Sequence, residues 1–155
     1  MRNSLIVPGA IAGLIAGIVM AMWAMIVAAV MGVGLLAPPQ MIAEPFFGPF
    51  QMGIFNAGAF IVGLMVHMMF SIVFGILFAL IWQGIAQGGT VSILGGMIYG
   101  VLIWVVMSYV VGPIVGAHIA QEMPLWAWLV AHLMFGVILG AWPILRPAEF
   151  RRATT

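Results

Sequence analysis

The chain has 155 residues, 66% of them hydrophobic and 5% charged, with three acids, four arginines, no lysine and a formal net charge of +1. A water-soluble domain carries several times that density of charge, so soluble enzymes, nucleic-acid binders and disordered chains are excluded and an integral membrane protein remains. The absence of cysteine excludes disulfides, thiolate metal sites and iron–sulfur clusters as well.

The first predicted element is the apolar stretch from Leu5 to Leu36, too long for a signal-peptide core and expected to be a retained span. In the connection that follows, Ala37-Pro38-Pro39-Gln40 and Glu44-Pro45 should break the helix around a short Met41 to Glu44 segment lying at the membrane interface. The second span runs from Phe55 to Trp82, the third from Val91 to Gly116 and the fourth from Leu125 to Leu145, each near or above the ~20 residues that cross a bilayer as helix. Pro113 and Pro143 should kink or end the last two. Arg2 precedes the first span and Arg146, Arg151 and Arg152 follow the last, so the positive-inside rule places both termini in the cytoplasm. The outward connections, around Leu36 to Phe55 and Ala117 to Pro124, then carry Glu44, His118 and Glu122. Trp82 and Trp142 are expected as lipid anchors at the inner interface, Trp126 and Trp128 at the outer one.

The chain contains an internal repeat. Leu64-Met65-Val66-His67-Met68-Met69-Phe70-Ser71 through Gly75 in span two aligns without a gap on Leu129-Val130-Ala131-His132-Leu133-Met134-Phe135-Gly136 through Gly140 in span four. Gly13 and Gly17 correspond to Gly96 and Gly100, and Ile42-Ala43-Glu44-Pro45 leaves a trace in Ile119-Ala120-Gln121-Glu122 before Pro124. Two hairpins, about residues 5–82 and 91–145, would enter the membrane in the same direction and form one domain over 1–155. The fold expected is all-α, a transmembrane four-helix bundle of two parallel two-helix repeats. In lipid, helices associate through small and polar residues rather than hydrophobicity. Stripes at four-residue spacing supply Gly13 and Gly17, Ser71 and Gly75, Gly96 and Gly100, and Gly136 and Gly140 as packing positions, with His67 and His132 on the same faces.

An ionisable side chain in the hydrocarbon region is a functional-site hypothesis by default. His67 and His132 fall at similar depth, so one ligand could bridge them, and two neutral imidazoles could be the axial ligands of a b-type haem. Against haem stand the lack of an outer cation for its propionates and the small residues on the same stripes, which invite close approach. The plainer reading has each imidazole bonding a facing carbonyl, a hydroxyl or the other ring and fixing helix register; proton or metal handling is a third. His118 and Glu122, spaced i, i+4, form with Glu44 a candidate outward metal or partner site, or simply a polar loop face. Fourteen methionines, among them Met20, Met22, Met25, Met65, Met68, Met69 and Met134, could ligate Cu(I) but equally fill cores. No phosphate-binding loop, metalloprotease helix, nucleophile elbow or paired-acid motif is present, and no enzymatic activity is expected.

The run from Gly96 to Gly100 followed by Trp104 and Val111-Gly112-Pro113, together with His132-Leu133-Met134-Phe135-Gly136 through Gly140, resembles a family of small, uncharacterised bacterial four-span membrane proteins with a His-x-x-aromatic-Gly run in the last span. The resemblance covers most of the chain, implies a stand-alone four-span unit in the bacterial inner membrane, and brings no activity with it. The function expected is a non-catalytic accessory subunit that packs in the bilayer against other membrane-protein subunits or itself, beside a respiratory or other redox complex, with no nucleic-acid partner. A haem-bearing electron carrier and a small transporter or proton pathway are the alternatives.

Overall fold

A computed structural model describes residues 3–82 and 89–145, and no strand occurs among them. Hydrocarbon offers backbone groups no hydrogen-bonding partner, so a chain this apolar satisfies them within helices. In chain order the helices are α1 (Asn3–Val30), α2 (Ala37–Ile42), α3 (Glu44–Phe47), α4 (Ala57–Trp82), α5 (Gly89–Val106), a π-helical turn (Met107–Val111), α6 (Gly112–Val115), α7 (Ile119–Glu122) and α8 (Leu125–Leu145). Three stretches, Leu5–Val30, Ala57–Trp82 and Gly89–Val115, are long and apolar enough to cross a membrane. The fourth apolar helix, α8, is shorter, with 21 residues; at ~1.5 Å per residue it extends about 31 Å, close to the hydrocarbon thickness. These helices mark an integral membrane protein. Arg2, Arg146, Arg151, Arg152 and the side chain of Trp142 lie outside the described residues.

Helix α1 packs on α4, α5 on α8, and α1 also on α8. Helix α4 meets α5 chiefly through large side chains: Phe78 lies 5.3 Å from the Tyr99 ring, and the Tyr99 hydroxyl donates to the Phe74 carbonyl at 3.0 Å. The core between α1 and α8 is built of small residues, Ala12, Ala16 and Ala131 among them, with Leu139 and Phe135 filling the wider parts.

Pro113 does not end the third long stretch. It has no N–H for the Tyr109 carbonyl, and its ring would strike that carbonyl in an unbroken α-helix. The preceding turn widens instead, with the Gly112 N–H bonded to the Met107 carbonyl, and the helix continues to Val115. Helix α8 likewise runs through Pro143 to Leu145.

The connection after α1 departs most from expectation. Its prolines do not break a helix but start two, Pro38 and Pro39 in the first turn of α2 and Pro45 in that of α3, where a missing N–H costs nothing. Residues Ala37 to Met41 of α2 are buried rather than spread along an interface, packed on α4 and α1. The Pro39 carbonyl presses on Gly63 so closely that no Cβ would fit there. Asn56 caps α4, its side-chain oxygen accepting the Ala59 N–H at 3.0 Å.

The tryptophans also divide differently. Trp126 is 59% exposed, as a lipid anchor should be, whereas Trp128 is 7% exposed and belongs to the core. Trp82 stacks on Phe78 at 5.5 Å and lies over Gly95.

Candidate functional site

The helix crossings position the histidines. At the first, a methyl group on Gly75 would come 2.7 Å from the Gly13 nitrogen, and one on Gly17 would strike the Ser71 side chain. At the second, a methyl on Gly96 would come 2.8 Å from the Gly140 nitrogen, and one on Gly140 2.7 Å from the Ile93 Cα. Residues that correspond in sequence therefore meet at both crossings: Gly13 faces Ser71 and Gly75, and Gly96 faces Gly136 and Gly140. Gly100 lies against the His132 carbonyl and Gly136. Seven of the eight packing positions read from the stripes meet backbone atoms of the facing helix, and Gly17 meets the Ser71 side chain.

This closeness puts His67 within reach of α1. Its Nε2 lies 3.0 Å from the Gly17 carbonyl; a carbonyl only accepts, so Nε2 carries the proton and Nδ1 holds the lone pair. The Ser71 hydroxyl donates back to the His67 carbonyl at 2.8 Å, which spares it an unpaired polar group in the crossing. His132, 2% exposed, donates from Nδ1 to the Trp128 carbonyl at 2.9 Å on its own helix and sits edge-on against the Trp128 ring at 4.8 Å. The two imidazoles thus adopt opposite tautomers, each fixed by a carbonyl.

A partly open cavity of about 20 Å³ adjoins His67, lined by Met20, Ala24, Pro38, Ile42, Leu64 and Trp128 among others. That volume admits about one water. A porphyrin does not fit it, and the crossing at Gly17 and Ser71 holds the backbones too close for a macrocycle to part them. His132 is not among the residues that line this cavity.

At the loop end, Glu44 and His118 come together and Glu122 does not join them. The Glu44 carboxylate is buried, with its side chain 6% exposed, while the His118 side chain is 59% exposed. One oxygen of Glu44 accepts the Phe50 N–H at 3.0 Å; the other accepts the His118 N–H at 2.8 Å and faces His118 Nδ1 at 3.1 Å. Glu122 is exposed. Among the described residues no three of His, Cys, Asp or Glu gather to hold a metal ion. The methionines are dispersed too: Met22, Met65 and Met69 face outward.

A family model described as "Family of unknown function (DUF6789)" matches residues 3–145. The chain belongs to this family. No curated protein and no solved structure matches it. Membership of DUF6789 agrees with the resemblance to an uncharacterised family and supplies no activity, so the functional reading rests on the geometry.

Three features of this DUF6789 protein escape sequence reasoning. Glu44 looks like a loop carboxylate because the donors that bury it are backbone N–H groups, and those carry no sequence signal. Gln40 is buried with its oxygen on the Asn56 N–H at 2.7 Å and its amide on the Leu36 carbonyl at 2.9 Å. Trp128 is drawn inward by Ser108, whose hydroxyl accepts its indole N–H at 3.0 Å. Asn56 was detectable, since an Asn immediately before an apolar helix is a cap signature.

Proposed function

We propose that this chain is a non-catalytic accessory subunit of the bacterial inner membrane, packed in the bilayer beside a larger complex, with a respiratory or other redox assembly as the partner class to test first. In this reading its four apolar helices all span, as a bundle of two parallel hairpin repeats with both termini in the cytoplasm and the loop end outward. The observation that carries it is an interior with no room for a large ligand among the described residues. His67, Ser71 and His132 at the helix crossings are tied to carbonyls, and the cavity beside His67 holds about one water. What the chain offers a neighbour is its outer surface, such as the unbroken stripe Ile61, Met65, Met69, Val73, Leu77 and Ile81 on α4. Neither electron transfer through a haem nor passage of a solute is favoured by an interior this tightly filled.

The test is the mass of the native particle. Tagged chain extracted gently from its own membranes should run on native electrophoresis within an assembly several times its own mass, with partner polypeptides in the same band. Migration alone, or as copies of itself only, overturns the reading.

A further inference from the structure

We propose that the connection between α3 and α4 is an interfacial anchor, in which residues 46–55 lie in the headgroup and glycerol zone of the bilayer instead of projecting into water. The proposal rests on α1 and α4 crossing the membrane and does not depend on the subunit reading.

The chain between Pro45 and His67 contains no ionisable side chain. Within it Phe46, Phe47, Met52, Ile54 and Phe55 are exposed, although none of them belongs to a spanning helix. Lipid covers an apolar side chain on a span, whereas a group of large apolar side chains on a connection would meet water at a cost in free energy. The acid that precedes them, Glu44, is turned inward, its carboxylate accepting the Phe50 and His118 N–H groups. The connection that corresponds in the second repeat does the reverse and exposes His118 and Glu122. Because Glu44 and His118 touch, both connections lie at one end of the bundle. An apolar surface and an ionisable one that close together mark a boundary between lipid and water.

The first connection also folds back on α4 rather than standing off it. The Phe47 ring lies 3.2 Å from the place a Cβ on Gly58 would take, and the Phe55 ring is 6.0 Å from that of Phe60. Gly58 and Phe60 belong to the first turn of α4, so two phenylalanines sit beside the end of a spanning helix, at the level where apolar rings enter the boundary between headgroups and acyl chains. A turn closed by the Ile54 N–H on the Gln51 carbonyl, with Gly53 at φ +80°, sets Met52 at its corner. The N–H groups of Phe46, Phe47 and Gly48 bond the Ala43 and Glu44 carbonyls, and those of Phe50 and Asn56 bond the Glu44 and Gln40 side chains. Backbone donors already bonded within the chain lower the cost of leaving bulk water. Anchors at the interface set the tilt and rotation of the helix they flank, so this one would fix the level of α4 and with it the depth of His67.

The chain has no cysteine, so nitroxide labels can be placed one at a time. Met52→Cys and Ile54→Cys carry the label at exposed side chains, where it displaces nothing from the core. Ile61→Cys, exposed on α4, is the lipid reference, and Glu122→Cys, exposed on the other connection, is the water reference. With the full chain in lipid nanodiscs, collisions of each label are measured with molecular oxygen, which concentrates in hydrocarbon, and with a nickel chelate, which stays in water. The ratio of oxygen to nickel collisions at Met52→Cys and Ile54→Cys should be several times that at Glu122→Cys and approach that at Ile61→Cys. A ratio matching Glu122→Cys at either position overturns the anchor and leaves the connection in water. Labels shielded from both reagents also overturn it, since protein, as in a second copy of the chain, would then cover the surface in place of lipid.

Discussion

His67 makes its one hydrogen bond with Nε2, directed across the crossing at the Gly17 carbonyl. A glutamine amide reaches a similar distance and can donate the same bond, whereas leucine fills the volume and donates nothing. If fixing the register between α1 and α4 is what the ring does, His67→Gln should keep most of the thermal stability in detergent. His67→Leu should lose about 0.5–2 kcal/mol, the range measured for such bonds within membranes. Equal losses in both would instead point to the lone pair on Nδ1. At this scale the recurrence of His67 and His132 is visible in the internal repeat, but their partners are not: one bonds a neighbouring helix and the other its own. That difference arises four residues upstream, where Trp128 offers His132 an edge-on partner and Gly63 offers His67 none.

At the scale of elements, the crossings were the most legible part of the fold, because close backbone approach demands small side chains at a helical period and leaves that period in the sequence. A methyl group at Gly96 or Gly140 would meet backbone atoms at 2.8 Å and 2.7 Å, which cannot yield without moving a helix. Gly96→Ala and Gly140→Ala should therefore destabilise by about 1–3 kcal/mol in a thermal unfolding series. At Gly58 the nearest contact is 3.2 Å, to the ring of Phe47, which can swing away; Gly58→Ala should change stability by no more than about 0.5 kcal/mol. Comparable losses at all three would mean that the crossings are looser than drawn. Harder to read was the π turn before Pro113. A proline in an apolar run signals a break or kink, but the widening that accommodates it depends on a glycine at 112, where a methyl group would come 2.9 Å from the Met107 oxygen. The burial of α2 was illegible for a related reason. Two prolines and a glutamine look like loop, and only tertiary contacts supply the partners that let such a segment leave water.

For the whole molecule, the two hairpins are each closed by their own crossing, and they join mainly through α1 on α8 with the Trp23 indole donating to the Ala127 carbonyl at 3.0 Å. Trp23 also meets Trp126 edge-on at 6.4 Å, and Glu44 adds a bond between the two connections by accepting the His118 N–H. Helices that fold separately in a bilayer and then associate side by side need no covalent link. A chain split between Trp82 and Gly89, its halves co-expressed with a tag on one, should therefore yield both halves in a single purified species of native size. Recovery of the tagged half alone would show that the connection, rather than the α1–α8 face, holds the hairpins together.

Four positions before each histidine, the two halves fill the same vacancy by different means. The second half uses the indole of Trp128, built into α8, while the first leaves Gly63 bare and lays the Pro39 carbonyl of α2 over it. One filler is part of the wall and the other is furniture. Substitutions in α2 can thus reshape the space beside His67 without touching either crossing, whereas the corresponding space beside His132 is set by a residue of α8 itself. Variation in this architecture is accordingly cheap beside His67 and costly beside His132.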